Sequence, residues 1–251
     1  MIRPKKHLGQ HFLTDENIAA RIVDSLSSKS GNVVEVGPGT GVLTKYLLEM
    51  KDLNLYFFEV DRESVEYLNR NYLQISDRIY NQDFLAADLS FIPAPFTVIG
   101  NFPYNISSQI LFKVLEHHND VPEVVGMFQK EVAERLASPP GSKKYGILSV
   151  LLKAFYDVEY LFTVHENVFY PPPKVKSAVI RIVRNETQHL DCDEKLFMKV
   201  VKTAFNQRRK TLRNALKGMT RSDAQIPEEY AGKRAEQLSV EDFVVLTNCL
   251  Q

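Results

Sequence analysis

The feature that most narrows what this chain can fold into is a strand that ends in glycines and hands straight over to a helix. Val33-Val34-Glu35-Val36 is a short β-branched run, Gly37-Pro38-Gly39-Thr40-Gly41 follows it, and residues 42–48 then read as helical. β-Branched residues suit a pleated, buried strand. Alternate glycines permit a tight turn and leave its backbone open to close approach. The unit recurs: residues 53–58 form a second strand with a helix over 64–71, residues 78–81 a weak third strand, 96–99 a fourth and 124–128 a fifth. Ahead of them, Thr14-Asp15-Glu16-Asn17 starts a helix carrying Ile18, Ile22, Val23 and Leu26 at helical spacing. Strands separated by helices imply right-handed βαβ crossovers and a parallel sheet.

The pattern then changes. Residues 147–156 are apolar enough for a buried helix, and 158–164 and 178–183 are strand-like. Pro171-Pro172-Pro173 lies between those two strands, rigid and unsuited to a central strand. An antiparallel pair at one sheet edge is therefore expected. Beyond residue 187, Phe197, Val200, Val201, Ala204 and Phe205 form one helical stripe with Lys195, Lys199 and Lys202 off it. Ser239-Val240-Glu241-Asp242 opens a last helix with a capping-box start. The expected architecture is α/β, a Rossmann-like sheet, parallel with an antiparallel edge hairpin, over residues 1–186. A small all-helical domain over 187–251 follows it.

Charge is balanced overall, with 31 Lys+Arg against 31 Asp+Glu, which excludes a chain that coats a polyanion by uniform positive charge. It is not evenly spread. Residues 195–221 hold nine Lys and Arg and no acidic residue, and Arg3, Lys5, Lys6 and His7 form a second basic cluster. Such segments suit phosphate contacts that place a nucleic acid without reading its sequence. Only two cysteines occur, Cys192 and Cys249, without a CxxC or Cys/His cluster, so no disulfide framework and no metal site is expected. The first residues lack the apolar core of a secretory signal, and no run approaches the roughly 20 apolar residues of a membrane span. A soluble cytoplasmic protein is expected.

Two groups of residues carry chemistry. The glycine turn is spaced G-x-G-x-G rather than G-x-G-x-x-G, so it does not call for a pyrophosphate. Glu59 ends the second strand, where an acidic side chain can accept from both hydroxyls of a ribose. Asp83, after the third strand, suits an adenine amino group. An adenosyl ligand at the strand ends fits these three. The second group, Asn101-Phe102-Pro103-Tyr104, follows the fourth strand. The exocyclic amine of a nucleobase is a poor nucleophile because its lone pair is delocalised into the ring. The Asn101 side-chain oxygen and the Pro103 carbonyl could accept its two N–H bonds and so favour a pyramidal nitrogen. Tyr104 would stack on a base held out of its helix.

Taken in order, Leu8-Gly9-Gln10-His11-Phe12-Leu13, the 35–41 turn, Phe58-Glu59-Val60-Asp61, Gln82-Asp83, Asn101-Phe102-Pro103-Tyr104-Asn105-Ile106-Ser107, residues 169–175 and residues 205–214 resemble the small-subunit ribosomal RNA adenine dimethyltransferase family over nearly the whole chain. The resemblance implies an S-adenosylmethionine-dependent enzyme that dimethylates two adjacent adenosines near the 3′ end of small-subunit rRNA. A role in small-subunit biogenesis and a monomer acting on an assembly intermediate go with it. It implies cofactor contacts at His11, Leu13, Gly37, Gly39, Glu59, Asp83, Phe84 and Asn101. The target-adenine motif falls on Asn101, Pro103 and Tyr104, with Phe169 on the other face of the base. RNA contacts fall on Arg208, Arg209, Lys210, Arg213 and Lys217. Two positions depart from the family pattern: His11 replaces a commoner Asn, and Phe102 a commoner Leu, the latter expected to alter packing only. Macrolide-resistance methylases, which act on large-subunit rRNA, share these motifs, but Gly9 and the 205–214 stretch favour the small-subunit family. An assembly factor that has lost the chemistry is disfavoured by the intact polar residues of both groups.

Overall fold

The computed structural model describes residues 2–219 and 226–250; Arg221 of the basic segment lies outside them. In chain order the main elements are β1 (Phe12–Leu13), α1 (Glu16–Asp24), β2 (Gly31–Val36), α2 (Thr44–Leu47), β3 (Leu53–Phe58), α3 (Arg62–Asn71), β4 (Ile79–Tyr80), β5 (Phe96–Asn101), α4 (Ser107–Glu116), β6 (Glu123–Gln129), α5 (Lys130–Ala137), α6 (Ile147–Lys153), β7 (Tyr156–Val164), β8 (Phe169–Tyr170), β9 (Ser177–Arg184), α7 (Glu194–Asn206), α8 (Leu212–Ala215), α9 (Glu228–Ala231) and α10 (Val240–Asn248). They cluster into two compact units. One is Met1–Ala133 with Glu159–Arg184, the other Glu134–Val158 with Asn185–Gln251. The division differs from a single boundary at residue 186: residues 134–158 cluster with the C-terminal helices.

Seven strands make the main sheet, in the order β4-β3-β2-β5-β6-β9-β7. The first five run parallel, and β9 is antiparallel to β6, from Glu123↔Val183 to Gln129↔Ser177. The two late strands thus stand together at one edge of the sheet, as the proline-separated pair implies, with β9 antiparallel to its inner neighbour. The β-branched and apolar runs account for the centre: Val33, Val34, Val36, Val98, Ile99, Val124 and Val125 are buried. In sequence the order runs outward from β2 to β3 and β4 on one side and from β5 to β6 on the other. Such a reversal opens a crevice at the carboxyl ends of the strands.

Local chemistry starts the helices where the sequence places them. Asp15 caps α1 by accepting from Ile18 N at 3.0 Å, and Asp193 caps α7 by accepting from Leu196 N at 2.8 Å. The capping box of α10 closes reciprocally, Ser239 and Asp242 each accepting from the other's backbone N–H. In the second unit the apolar stripe of α7 is buried, and Phe205 stacks on Phe243 with ring centroids 6.1 Å apart. The 147–156 stretch is shorter as a helix than its apolar run suggests. α6 stops at Lys153 because Ala154 and Phe155 form a turn and Tyr156 opens β7, and a continuous apolar run does not separate the two states. The small sheet of β1 with β8, pairing Phe12↔Tyr170 and Leu13↔Phe169, has no local signal, since its partners lie more than 150 residues apart.

Candidate active site

Parallel register brings the chemistry-bearing ends of four strands to one edge. Val36 lies opposite Phe58, and Phe58 opposite Tyr80, so Gly37, Glu59 and, two residues beyond Asn81, Asp83 follow one another along it. Asn101 ends β5 on the other side of β2. Between them lies a crevice of about 680 Å³, lined among others by Gly37, Gly39, Glu59, Asp83, Phe84 and Asn101. A strap formed by residues 8–12 walls its opposite side.

The turn is built for close approach. Gly39 takes φ 58°, and a Cβ there would stand 3.0 Å from the Phe12 ring of the strap. A side chain would therefore suffer both left-handed strain and a collision. The Gly39 N–H donates to Glu59 Oε2 at 3.0 Å, and Asp61 N–H donates to Glu59 Oε1 at 2.9 Å. Each Glu59 oxygen thus keeps a lone pair for a further donor, the pattern that a pair of adjacent hydroxyls requires. Glu59 is buried, and burial holds its pKa above the ordinary value against those two bonds. Glu35, wholly buried behind the turn, accepts from Thr44 Oγ1 at 2.7 Å. Desolvation pushes its carboxyl up to about 8.

Asp61 was not singled out by the sequence, and it organises this wall. Its buried carboxylate accepts from the Lys5 ammonium and from Gln10 Nε2 at 3.2 Å, tying the strap to α3. It also caps α3 through Glu63 N and Ser64 Oγ. Burial pushes its pKa up, but the bonds from Lys5, Gln10 and Ser64 outweigh this and leave it below the carboxylate range. Lys113 of α4 does similar work across the crevice. Its ammonium donates to the carbonyls of Leu85 and Ala87 at 3.0 and 2.6 Å, pinning the loop that carries Asp83 and Phe84. Asp83 is exposed and accepts from Leu85 N at 2.9 Å, whereas Phe84 is buried edge-on against Phe58.

Around Asn101 the hydrogen bonds fix an orientation. Its Nδ2 donates to the His11 carbonyl at 2.9 Å, so Oδ1 faces no protein donor among the described residues and is the atom left to accept. The Pro103 carbonyl already takes Ile106 N at 3.1 Å and retains its second lone pair. Tyr104 is held at both ends. Its hydroxyl bonds Ser177 Oγ, and its ring stacks on the His11 imidazole with centroids 5.5 Å apart. Burial raises the Tyr104 pKa, so the phenol is neutral at physiological pH. His11 Nδ1 lies 2.7 Å from the Pro171 carbonyl, which only accepts, so that nitrogen carries the proton. His11 therefore faces Tyr104 with its ring and serves Asn101 with its backbone.

Two expected residues put their side chains into the core. Phe169, assigned to the second face of a base, is 4% exposed and packs into the core with Leu13, Val164 and Val179. Alternation along β8 gives the exposed position to Tyr170 instead. Leu13 is likewise buried, but it stays beside the glycine turn, bordering a small pocket with Gly37, Gly39 and Asn101. The departure at Phe102 is absorbed by missing β-carbons. Its ring lies over Gly100 and Gly126, paired across β5 and β6, where a Cβ at Gly126 would sit 2.2 Å from the ring.

The second unit holds the basic segment, and its side chains are not equivalent. Arg208 donates to the Lys143 carbonyl at 2.6 Å and neighbours Glu236 at 3.7 Å, a structural commitment. Arg213 forms an exposed two-pronged pair with Glu228 at 2.7 and 2.8 Å. Arg209, Lys210 and Lys217 are exposed. Arg209 and Lys210 make no ion pair among the described residues. Among those residues no three His, Cys, Asp or Glu side chains gather as a metal site, and no helix is long and apolar enough to cross a membrane.

Comparison with known proteins agrees with this geometry. A family model described as ribosomal RNA adenine dimethylase matches residues 1–251. Ribosomal RNA small subunit methyltransferase A of Cytophaga hutchinsonii is 57% identical over 252 residues, covering 99% of this chain and 98% of that protein. Among solved structures, a dimethyladenosine transferase from Plasmodium falciparum superposes with TM-score 0.78 at 25% identity, covering 94% of this chain and 96% of that one. The 23S rRNA methyltransferase ErmE shares the fold, with TM-score 0.70 at 24% identity, covering 95% and 99%.

Proposed function

The chain belongs to the ribosomal RNA adenine dimethylase family, and on that premise we propose that it transfers methyl groups from S-adenosylmethionine to the exocyclic amine of adenosines in small-subunit rRNA. The observation that carries the reading is the orientation of Asn101: its amide nitrogen is tied to the His11 carbonyl, so its oxygen is the end presented.

The crevice residues suit S-adenosylmethionine. The two free lone pairs of Glu59 match the ribose hydroxyls, Asp83 the adenine amino group, and Phe84 the adenine face. Gly37 and Gly39 let the ligand lie against the backbone. When bound, the cofactor supplies an electrophilic methyl group on a sulfonium sulfur. The protein's own task is then positioning. Asn101 Oδ1 and the Pro103 carbonyl accept the two N–H bonds of the target amine, which frees its lone pair from the ring. Tyr104 offers its aromatic face to the base, on a ring already fixed by Ser177 and His11. No group here need act as a strong base, because a sulfonium donor would leave as a neutral thioether, which makes transfer favourable, and the proton can leave afterwards. Rate comes from orientation and from dipoles set before the substrate arrives.

We infer further that the targets are two adjacent adenosines near the 3′ end of the small-subunit rRNA, each methylated twice. The substrate is the small subunit, met as an assembly intermediate in the cytoplasm by a monomer whose Arg209, Lys210 and Lys217 contact phosphates. The test is methyl transfer to undermethylated small subunits, followed by nucleoside mass spectrometry. Dimethyladenosine in the small-subunit rRNA is the expected product. Monomethyl product alone, or product confined to large-subunit rRNA, overturns the reading.

A further inference from the structure

A second cleft opens beside the cofactor crevice and shares Gly9, Gln10, His11 and Tyr104 with it. It measures about 960 Å³. Its remaining walls come from Pro4 and Lys6 of the strap, Gln129 at the end of β6, and the loop from Pro171 to Val175. Among the described residues, no Asp or Glu lines it. Lys6 and Lys174, both exposed, bring the only charges, and neither ammonium has a carboxylate partner among the described residues. The contrast with Lys5 is informative. One residue away, Lys5 is spent on Asp61 and Glu63, while Lys6 is left to the cleft.

We propose that this cleft binds the nucleotide adjoining the target adenosine, its phosphodiester held between Lys6 and Lys174 and its base and sugar laid on the prolines. The inference rests on the adenosine-methylating function above and deepens it by naming where the neighbouring residue of the RNA goes. Continuity supports it: Tyr104 and His11 line both spaces, so an RNA chain delivering one base to Tyr104 must pass its next nucleotide into the adjoining space. Chemistry supports it as well. Two unpaired cations without an acidic neighbour suit a phosphate, and a run of prolines gives a rigid apolar surface that loses no side-chain entropy on contact. Gln129 offers both a donor and an acceptor to a base edge. Its Cα is registered opposite Ser177, the residue that anchors Tyr104, so the two subsites are fixed by one strand pair. For a substrate with adjacent target adenosines, one would wait here while the other is methylated.

The experiment compares wild type with Lys6→Met and Lys174→Met, singly and together, which keep the aliphatic stems and remove the charges. With undermethylated small subunits, the KM should rise about tenfold in the double variant, and the slope of log KM against log salt should become shallower by about 0.7 for each lysine. Affinity for S-adenosylmethionine, measured by calorimetry, should stay at the wild-type value. In parallel, a labelled single-stranded pentaribonucleotide with two central adenosines is titrated by anisotropy, and its binding should weaken in the same order. Unchanged KM, salt slope and oligonucleotide affinity in the double variant overturn the proposal. If the wild type methylates nothing in the small subunit, the functional reading fails instead. The anisotropy comparison then decides the cleft by itself: lysine-dependent binding upholds it, and lysine-independent binding ends it.

Discussion

Replacing Glu35 by Gln should make the protein's stability less sensitive to a rise in pH between about 5 and 8. Glu35 is 1% exposed, and its one hydrogen-bond partner among the described residues is the Thr44 hydroxyl. Burial pushes its carboxyl from 4.5 up to about 8. Between those two values the unfolded chain has released a proton that the folded chain keeps. Unfolding is then accompanied by proton release, and stability falls as pH rises through this window, by about 1.36 kcal/mol per pH unit. From pH 5.5 to 7.5 this one group removes about 2–3 kcal/mol. Glutamine keeps the shape, still accepts from Thr44, and has no proton to lose. Urea unfolding of both proteins, followed by far-UV circular dichroism because the chain has no tryptophan, gives the difference in stability at each pH. That difference should shift by about 2–3 kcal/mol in favour of the variant over the range. A pH-independent difference would show that Glu35 is ionised in the folded protein and that the turn rests on a buried charge.

Other outcomes follow from the same contacts. Asn101→Ala should leave cofactor affinity within about threefold and lower turnover by about 10²–10³, as loss of one preset dipole does; turnover within tenfold of wild type contradicts its role. Gly126→Ala puts a Cβ 2.2 Å from the Phe102 ring, so thermal unfolding should register about 1–3 kcal/mol of overpacking, and a second change, Phe102→Leu, should recover most of it. Lys5→Met should weaken S-adenosylmethionine binding by calorimetry while Lys5→Arg preserves it, because the strap hangs on Asp61; equal affinities would dismiss the tether. Arg209→Glu with Lys210→Glu should weaken small-subunit binding at unchanged melting temperature. Arg208→Glu should lower the melting temperature, since it forfeits the bond to the Lys143 carbonyl.

The parts of the site that were legible in the sequence are those in which one short segment does one job. A strand, a glycine turn and an acidic residue at the next strand end follow each other in order, and βαβ geometry then places Gly37, Glu59 and Asn101 on one edge. What was not legible depends on pairs distant in sequence. Asp61 has a local role as the cap of α3. Only the fold shows Lys5 and Gln10 arriving from more than 50 residues away. Lys113 is an ordinary polar position on α4 until the Leu85 and Ala87 carbonyls are seen beside it. Phe169 was assigned to a base by motif, but strand pairing with Leu13 turns its ring to the core. Arg208 looked like its basic neighbours, and an internal carbonyl claims it. Local pattern fixes which residues stand at a strand end; competition among tertiary partners fixes which of their atoms remain free.

That distinction bears on the chemistry. A nucleobase amine becomes reactive when two acceptors hold its hydrogens and nothing else competes for them. Asn101 could have failed this condition by turning its amide nitrogen toward the substrate, since the two ends of the side chain are nearly the same shape. The His11 carbonyl removes that alternative, because it can only accept and so claims the nitrogen. The same residue's ring steadies Tyr104, and its Nδ1–H fastens the strap to the Pro171 carbonyl. Replacing the commoner Asn at position 11 leaves the backbone carbonyl where it was and changes only what the side chain adds. The departure is tolerable for that reason: the orientation of the accepting amide depends on the main chain, and the substitution acts on the ring that stacks on Tyr104.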